Sequence, residues 1–142
     1  MKFAQSIALL TAFVVPALSA ATAIVNVPLT YDTRYDDPSG RISSTVCSEK
    51  LAQYPTFGSL PSFPYIAGAS YVEGFNSTQC GTCWSLTYLK DGKVNGIYVT
   101  AINSAPNGFT SSLTAETTLT GFNRNNIPRD VIIGAEQVFE DY

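Results

Sequence analysis

Three cysteines and not one histidine set the first limit on how this 142-residue chain can fold. Cys80 and Cys83 stand as a C-x-x-C pair inside "TQCGTCWSLTY", and Cys47 lies upstream. A structural zinc site takes four ligands, usually cysteine or histidine, so that site lacks its donors. A redox dithiol belongs at a helix start in a βαβ setting. Here "CWSLTYL" alternates Trp84, Leu86 and Tyr88 with Cys83, Ser85 and Thr87, the pattern of a half-buried strand. Extended residues three apart sit about 10 Å from each other on opposite faces, beyond the roughly 7 Å reach of a disulfide. Cys80 and Cys83 are therefore expected to look in different directions.

The compartment follows from the N-terminus. "MKFAQSIALLTAFVVPALSA" reads as a secretory signal over residues 1–20: Lys2 gives the positive start, Ile7 to Val15 the apolar run, and Pro16 the break before small residues. Cleavage is placed between Ser19 and Ala23, leaving a domain over 24–142. The apolar run is shorter than the about 20 residues a bilayer requires, so no membrane anchor is expected. Export implies an oxidising compartment, where three thiols allow one bridge. We take that bridge as Cys47 with Cys80, which removes about 3–4 kcal/mol of unfolded-state entropy in the chain-entropy account. Cys83 is then left over, either buried as a small hydrophobe in a monomer or linking two chains as a dimer.

Hydrophobic residues at 45% against charged ones at 13% place the chain in the globular range, and its length suits one domain. With Lys2 removed, seven basic side chains face eleven acidic ones, a net charge of about −4. The basic residues Arg34, Arg41, Lys50, Lys90, Lys93, Arg124 and Arg129 are scattered rather than clustered, so nucleic acid is not an expected partner.

Alternation gives the elements. "AIVNVPLTYDT" sets Val25, Val27, Leu29 and Tyr31 on one face, a strand whose Pro28 points to a sheet edge. "RYDDPSG" ends it as a turn. "SSTVCSEKLAQY" offers a short helix capped by Ser43 or Ser44, and "YPTFGSLPSFPYIAGAS" reads as an ordered loop. The clearest unit is a hairpin: Cys83 to Lys90, an Asp91-Gly92 turn, then Val94 to Asn103, with Ile97, Val99 and Ala101 alternating against Tyr98, Thr100 and Ile102. "SAPNGF" is a loop, "TSSLTAETTLTGF" a short helix closed by Gly121, and "DVIIGAEQVF" a final strand. Short strands with one or two small helices and no internal repeat point to a mainly β, closed barrel.

Three stretches together resemble the cerato-platanin family of small secreted fungal proteins. They are "VPLTYDTRYDDPSG" from Val27, "YPTFGSLPSFPYIAGA" from Tyr54, and "CGTCWSLTY" with "IYVTAINSAPNGF" downstream. The resemblance implies a six-stranded double-psi β-barrel related to expansin and family 45 endoglucanase domains, present in the medium and the fungal cell wall. It implies binding of chitin-type (N-acetylglucosamine) oligomers or other wall polysaccharide, loosening without hydrolysis, defence responses in plants through a receptor, and self-assembly at interfaces. It implies no cofactor. Family members usually carry four cysteines, bridged first to second and third to fourth. That pattern also pairs Cys47 with Cys80, leaves Cys83 without its partner, and implies a weakly tethered C-terminal strand. By the same match, Tyr31, Asp32, Thr100 and Asn103 line a carbohydrate groove. Asn103 departs from the family, whose relatives keep a carboxylate there.

Glycoside cleavage ordinarily takes two carboxyl groups, about 5 Å apart for retention or 6.5–9.5 Å for inversion. The amide of Asn103 has no acidic proton to donate. Asp32, Asp36 and Asp37 are candidate substitutes, and the absence of histidine removes Ser-His and Cys-His nucleophiles. No catalytic residue is assigned, and a weak family 45 type glycosidase is the lesser reading beside a surface-active wall protein. An amide still donates and accepts, so binding can survive where acid catalysis does not. Against a sugar contact at Tyr31 stands a core position with the valines. Asp32 has the plain alternative of a turn acceptor, Thr100 that of an ordinary strand residue. Trp84, on one face with Leu86 and Tyr88, is read as core rather than a sugar platform. Asn76-Ser77-Thr78 is an N-glycosylation acceptor, with an unmodified turn as the alternative.

Overall fold

The computed structural model describes residues 23–139; the expected signal peptide lies outside the described residues, and so does nearly all of its cleavage window. Six strands, β1 (Val25–Tyr31), β2 (Ile66–Ala69), β3 (Cys83–Lys90), β4 (Lys93–Ser104), β5 (Phe109–Ser111) and β6 (Val131–Val138), close into a barrel in the order β1-β5-β2-β4-β3-β6. Among the described residues one α-helix, α1 (Leu113–Thr120), packs against β1, β3 and β4. This is the mainly β, single-domain barrel expected from the sequence. Two of its pairings are parallel, β1 with β5 and β2 with β4, and both join strands far apart in the chain.

The hairpin forms as read. Asp91 and Gly92 take φ values of 52° and 76°, the left-handed pair that a two-residue turn with the right twist requires. Pairing then runs unbroken from Lys90 with Lys93 to Cys83 with Thr100. Trp84, Leu86, Val99 and Ala101 are buried and Tyr98 is exposed, as alternation predicts. Ile102 departs from it and is fully buried. The ladder to β2 passes from Ala67–Ala101 to Gly68–Asn103, so Ile102 is an extra residue in a bulge, and two consecutive side chains turn inward.

β1 corrects the sequence reading in two ways. Val25 and Tyr31 are exposed at 38% and 42%, and only Leu29 is fully buried. Nor is β1 an edge strand, since β6 and β5 flank it. Pro28 is tolerated because pairing to β5 begins only at Leu29. There the chain arrives at Gly108, whose φ is 58°; a Cβ on it would fall 2.1 Å from the Pro28 carbonyl oxygen, so glycine alone fits.

The helix expected at Ser43–Tyr54 is replaced by a 3-10 turn at Ile42–Ser44 and further turns. Side chains take the donors a helix would use: Thr45 Oγ1 accepts from Cys47 N–H (3.2 Å) and Asn103 Oδ1 from Val46 N–H (3.1 Å). The Tyr54–Ser70 loop is ordered, with a 3-10 turn at Phe57–Ser59, but it also contributes β2, which pattern alone did not reveal. β5 likewise forms where the pattern gives a loop and a helix start. Helix α1 is capped as expected, Ser112 Oγ accepting from Ala115 N–H and Gly121 closing it at φ 72°.

Cys47 and Cys80 are bridged, with Cα atoms 5.4 Å apart. Cys80 sits in a turn rather than in extended chain, its N–H bonded to Ser77 O, and the strand begins only at Cys83. Cys83 is a free, half-buried thiol whose pKa burial pushes up. The weakly tethered final strand is not what the fold shows: β6 closes the barrel, paired to β1 on one side and β3 on the other. Trp84 belongs to the core, stacked on Tyr71 (4.6 Å between centroids) and edge-on to Phe109 (5.3 Å), with its indole N–H given to Thr82 Oγ1.

Candidate functional site

At the end of β1 the chain turns through a 3-10 helix, Thr33–Asp36, and Asp32 starts it by accepting the Arg34 N–H at Oδ1 (2.9 Å). Its other oxygen faces the Arg34 guanidinium at 3.8 Å, a partly exposed pair that holds orientation more than it adds stability. Arg34 then donates from Nη2 to the Tyr35 hydroxyl (3.0 Å). The same hydroxyl accepts from Asn103 Nδ2, also at 3.0 Å. The opposite end of the amide, Oδ1, accepts the Val46 N–H. A continuous chain of polar contacts thus links Asp32, Arg34, Tyr35, Asn103 and the backbone beside Cys47.

The backbone donor at Val46 decides which end of the Asn103 amide is which: only oxygen can face it. Tyr35 accepts twice, so its own proton is left to give to a further acceptor. Asn103 retains one N–H and one lone pair in the same way. Arg34 and Tyr35 were missed in the sequence, although Asp32-Thr33-Arg34-Tyr35 carries the signal: an aspartate two residues before a backbone donor it can cap.

The other two expected groove residues stand elsewhere in this hydrogen bonding. Thr100 pairs its hydroxyl with Ser62 Oγ (2.7 Å), two register positions before Asn103 on β4. Tyr31 lines a separate cavity of about 420 Å³ with Leu29, Glu116, Pro128 and Arg129.

The candidate acids are committed. Asp36 accepts Leu113 N–H (2.7 Å) at one oxygen, and Thr114 N–H (3.0 Å) with the Thr114 hydroxyl (2.7 Å) at the other, capping α1 from outside. Asp37 accepts Ser39 N–H. Among the described residues no group of three His, Cys, Asp or Glu side chains is placed to hold a metal ion, and no helix is long and apolar enough to cross a membrane. Asn76 takes φ 59°, its Nδ2 donates to Glu49 Oε2, and its buried Oδ1 has no partner among the described residues.

The family model for cerato-platanin matches residues 27–137, which contain every strand but the first two residues of β1 and the last of β6. The chain belongs to the cerato-platanin family. It is 39% identical over 130 residues to Allergen Asp f 15 of Aspergillus fumigatus, covering 84% of this chain and 83% of the relative. The crystal structure of cerato-platanin 2 from M. perniciosa superposes with a TM-score of 0.76 at 34% identity, over 81% of this chain and 95% of that one. The solution structure of the fungal elicitor Cerato-Platanin gives 0.67 at 33% identity, over 81% and 92%. None of these names is that of an enzyme. Within a cerato-platanin barrel, the polar chain from Asp32 to Asn103 ties the segment after β1 to β4 and to the disulfide-bonded loop.

Proposed function

We propose that this chain is an exported, non-catalytic protein that binds chitin-type oligosaccharides or related wall polysaccharide, loosens such polymers as expansins do, and acts as an elicitor of plant defence. The observation that supports it is the polar chain from Asp32 through Arg34 and Tyr35 to Asn103. A pre-ordered set of amide, carboxylate and guanidinium groups at Asn103, Asp32 and Arg34, held together from beneath by the buried Tyr35 hydroxyl, suits hydroxyl-rich ligands. Thr100, two register positions before Asn103 on β4, adds a hydroxyl paired with Ser62 Oγ. The elicitor reading comes from the relative that bears that description. Absence of cleavage is favoured because Asp36 and Asp37 are held by backbone donors and Asn103 has no proton to supply.

Titration of the isotope-labelled protein with chitin oligomers tests this. Amide signals at Asp32, Tyr35 and Asn103 should move at millimolar ligand and stay still in the Asn103→Ala variant. Unmoved signals in the wild-type protein would refute the reading. Sugar release from chitin or cellulose that disappears in Asp32→Ala would favour a glycosidase instead.

One feature favours the second reading, a surface-active wall protein. Leu89 and Val94, 66% and 67% exposed, sit directly opposite each other near the hairpin tip, and Tyr98 is exposed along the same strand. Film formation at an air–water interface that falls on Leu89→Ser with Val94→Ser, and persists on Asn103→Ala, would establish it.

A further inference from the structure

Glu116 is 1% exposed, on the first turn of α1, and its Oε2 is buried without a hydrogen-bond partner among the described residues. An orphan carboxyl oxygen is costly to bury, and a fold that keeps one usually has a use for it. Glu116 lines the cavity of about 420 Å³ between β1, α1 and the segment leading into β6. That volume lies within the roughly 300–1,000 Å³ range of small-ligand sites. The remaining walls divide by chemistry. Leu29, Ile127 and Pro128 are apolar, Tyr31 offers a ring exposed at 42%, and Arg129 supplies donors, while the Thr30 hydroxyl is engaged with Thr110 Oγ1 (2.9 Å).

We propose that this cavity is a second binding site, separate from the Asp32–Asn103 chain, for a small uncharged polyhydroxylated ring of monosaccharide size. A ring hydroxyl bonds to the Glu116 carboxyl, one ring face lies on Tyr31 and Pro128, and Arg129 donates to a further oxygen at the mouth. Burial pushes the Glu116 carboxyl up to about 7, so in mildly acid medium it is uncharged and able to donate as well as accept. The guanidinium of Arg129 disfavours a cationic ligand.

The test is titration of the isotope-labelled full chain with methyl β-glucopyranoside at pH 5.5, with glucosamine as the cationic comparison. Signals of Tyr31, Glu116 and Ile127 should move, and those of Asp32 and Asn103 should not. Glu116→Gln, which keeps a donor and an acceptor, should retain binding. Glu116→Leu should weaken it about tenfold, the loss of one well-made hydrogen bond. Tyr31→Ala, at an exposed position that folding tolerates, should weaken it as well if Glu116→Leu fails to fold. No movement at 100-fold molar excess and above, equal binding by Glu116→Leu and Tyr31→Ala, tighter binding of glucosamine, or movement confined to Asp32 and Asn103 would each overturn the proposal. The chitin-oligomer reading stands or falls separately, on Asn103→Ala.

Discussion

Asn103 and Glu116 are both polar side chains close to the barrel wall, and their surroundings are opposites. Asn103 bonds at both ends, to Val46 N–H and to the Tyr35 hydroxyl, in a region further fixed by the Cys47–Cys80 bridge. Glu116 is buried with one oxygen unmet, beside a cavity. The first arrangement resembles a network optimised for shape, in which removing any member leaves another unsatisfied. The second stores an unfavourable group that a proton or a ligand can relieve. Stability is therefore concentrated on the Asn103 side, and sensitivity to conditions on the Glu116 side.

The largest expected effect breaks the stable side. Replacing Cys47 and Cys80 together with alanine frees a loop spanning a sequence separation of 33 and should lower unfolding free energy by about 3–4 kcal/mol. Urea melts of the two proteins measure this. A loss under about 1 kcal/mol would mean that the hydrogen bonds to Asn103 hold the loop unaided.

Next comes the pH response of Glu116. Its carboxyl binds its proton more tightly folded, near 7, than at the ordinary value of 4.5. Below about pH 4.5 both states are protonated and nothing is lost; stability then falls as pH rises towards 7 and levels off above it. At 1.36 kcal/mol per pH unit the full difference is about 3 kcal/mol, an upper bound. Tyr31 and Arg129 face the same cavity from β1 and from the segment before β6, and Asp36 sits at the start of α1. Glu116→Gln should thus be more stable than wild type at pH 8 by about 2–3 kcal/mol and nearly equal to it at pH 4. Melting both proteins across that range would expose a flat difference, which would place the carboxylate in contact with water or a donor.

The contrast also shows what the sequence could reveal. Elements defined by local pattern were legible: the Asp91-Gly92 hairpin, α1 between Ser112 and Gly121, and the final strand. β2 and β5 were not, because they are only four and three residues long and exist through pairing with distant partners. The absent helix after Ser43 has the same cause, since its donors are taken by Thr45 and by Asn103, 57 positions away from Val46. Ile102 misled because a bulge shifts the alternation. At the candidate site, family resemblance names Asp32 and Asn103, whereas their link through Arg34 and Tyr35 needed the fold. Glu116 was invisible: "LTAETTLT" has no clean apolar stripe, so nothing in it marks the glutamate as the buried residue.

A smaller effect sharpens the Asn103 half. Asn103→Ala leaves the Val46 N–H without its acceptor and should cost about 1–2 kcal/mol. Asn103→Asp keeps an oxygen towards Val46 and lets the Tyr35 hydroxyl donate to the other, so it should stay within about 1 kcal/mol of wild type. Equal losses in the two variants by denaturant melt would show that packing, not the hydrogen bonds, makes Asn103 matter.

The smallest effect concerns the residue that joins the two regions. Asp36 lies on the 3-10 turn with Arg34 and Tyr35, yet its oxygens hold the Leu113 and Thr114 N–H groups at the start of α1, three residues before Glu116. Losing that acceptor and the charge at a helix N-terminus should cost about 1 kcal/mol in Asp36→Ala. Because Ser112 still caps the helix from within, α1 should persist with faster amide exchange confined to its first turn. If exchange also quickens at Asn103 and Val46, the two regions are one cooperative unit and the division drawn between them is wrong. If it quickens only in α1, the cavity can change its proton or its ligand without disturbing the Asp32–Asn103 surface.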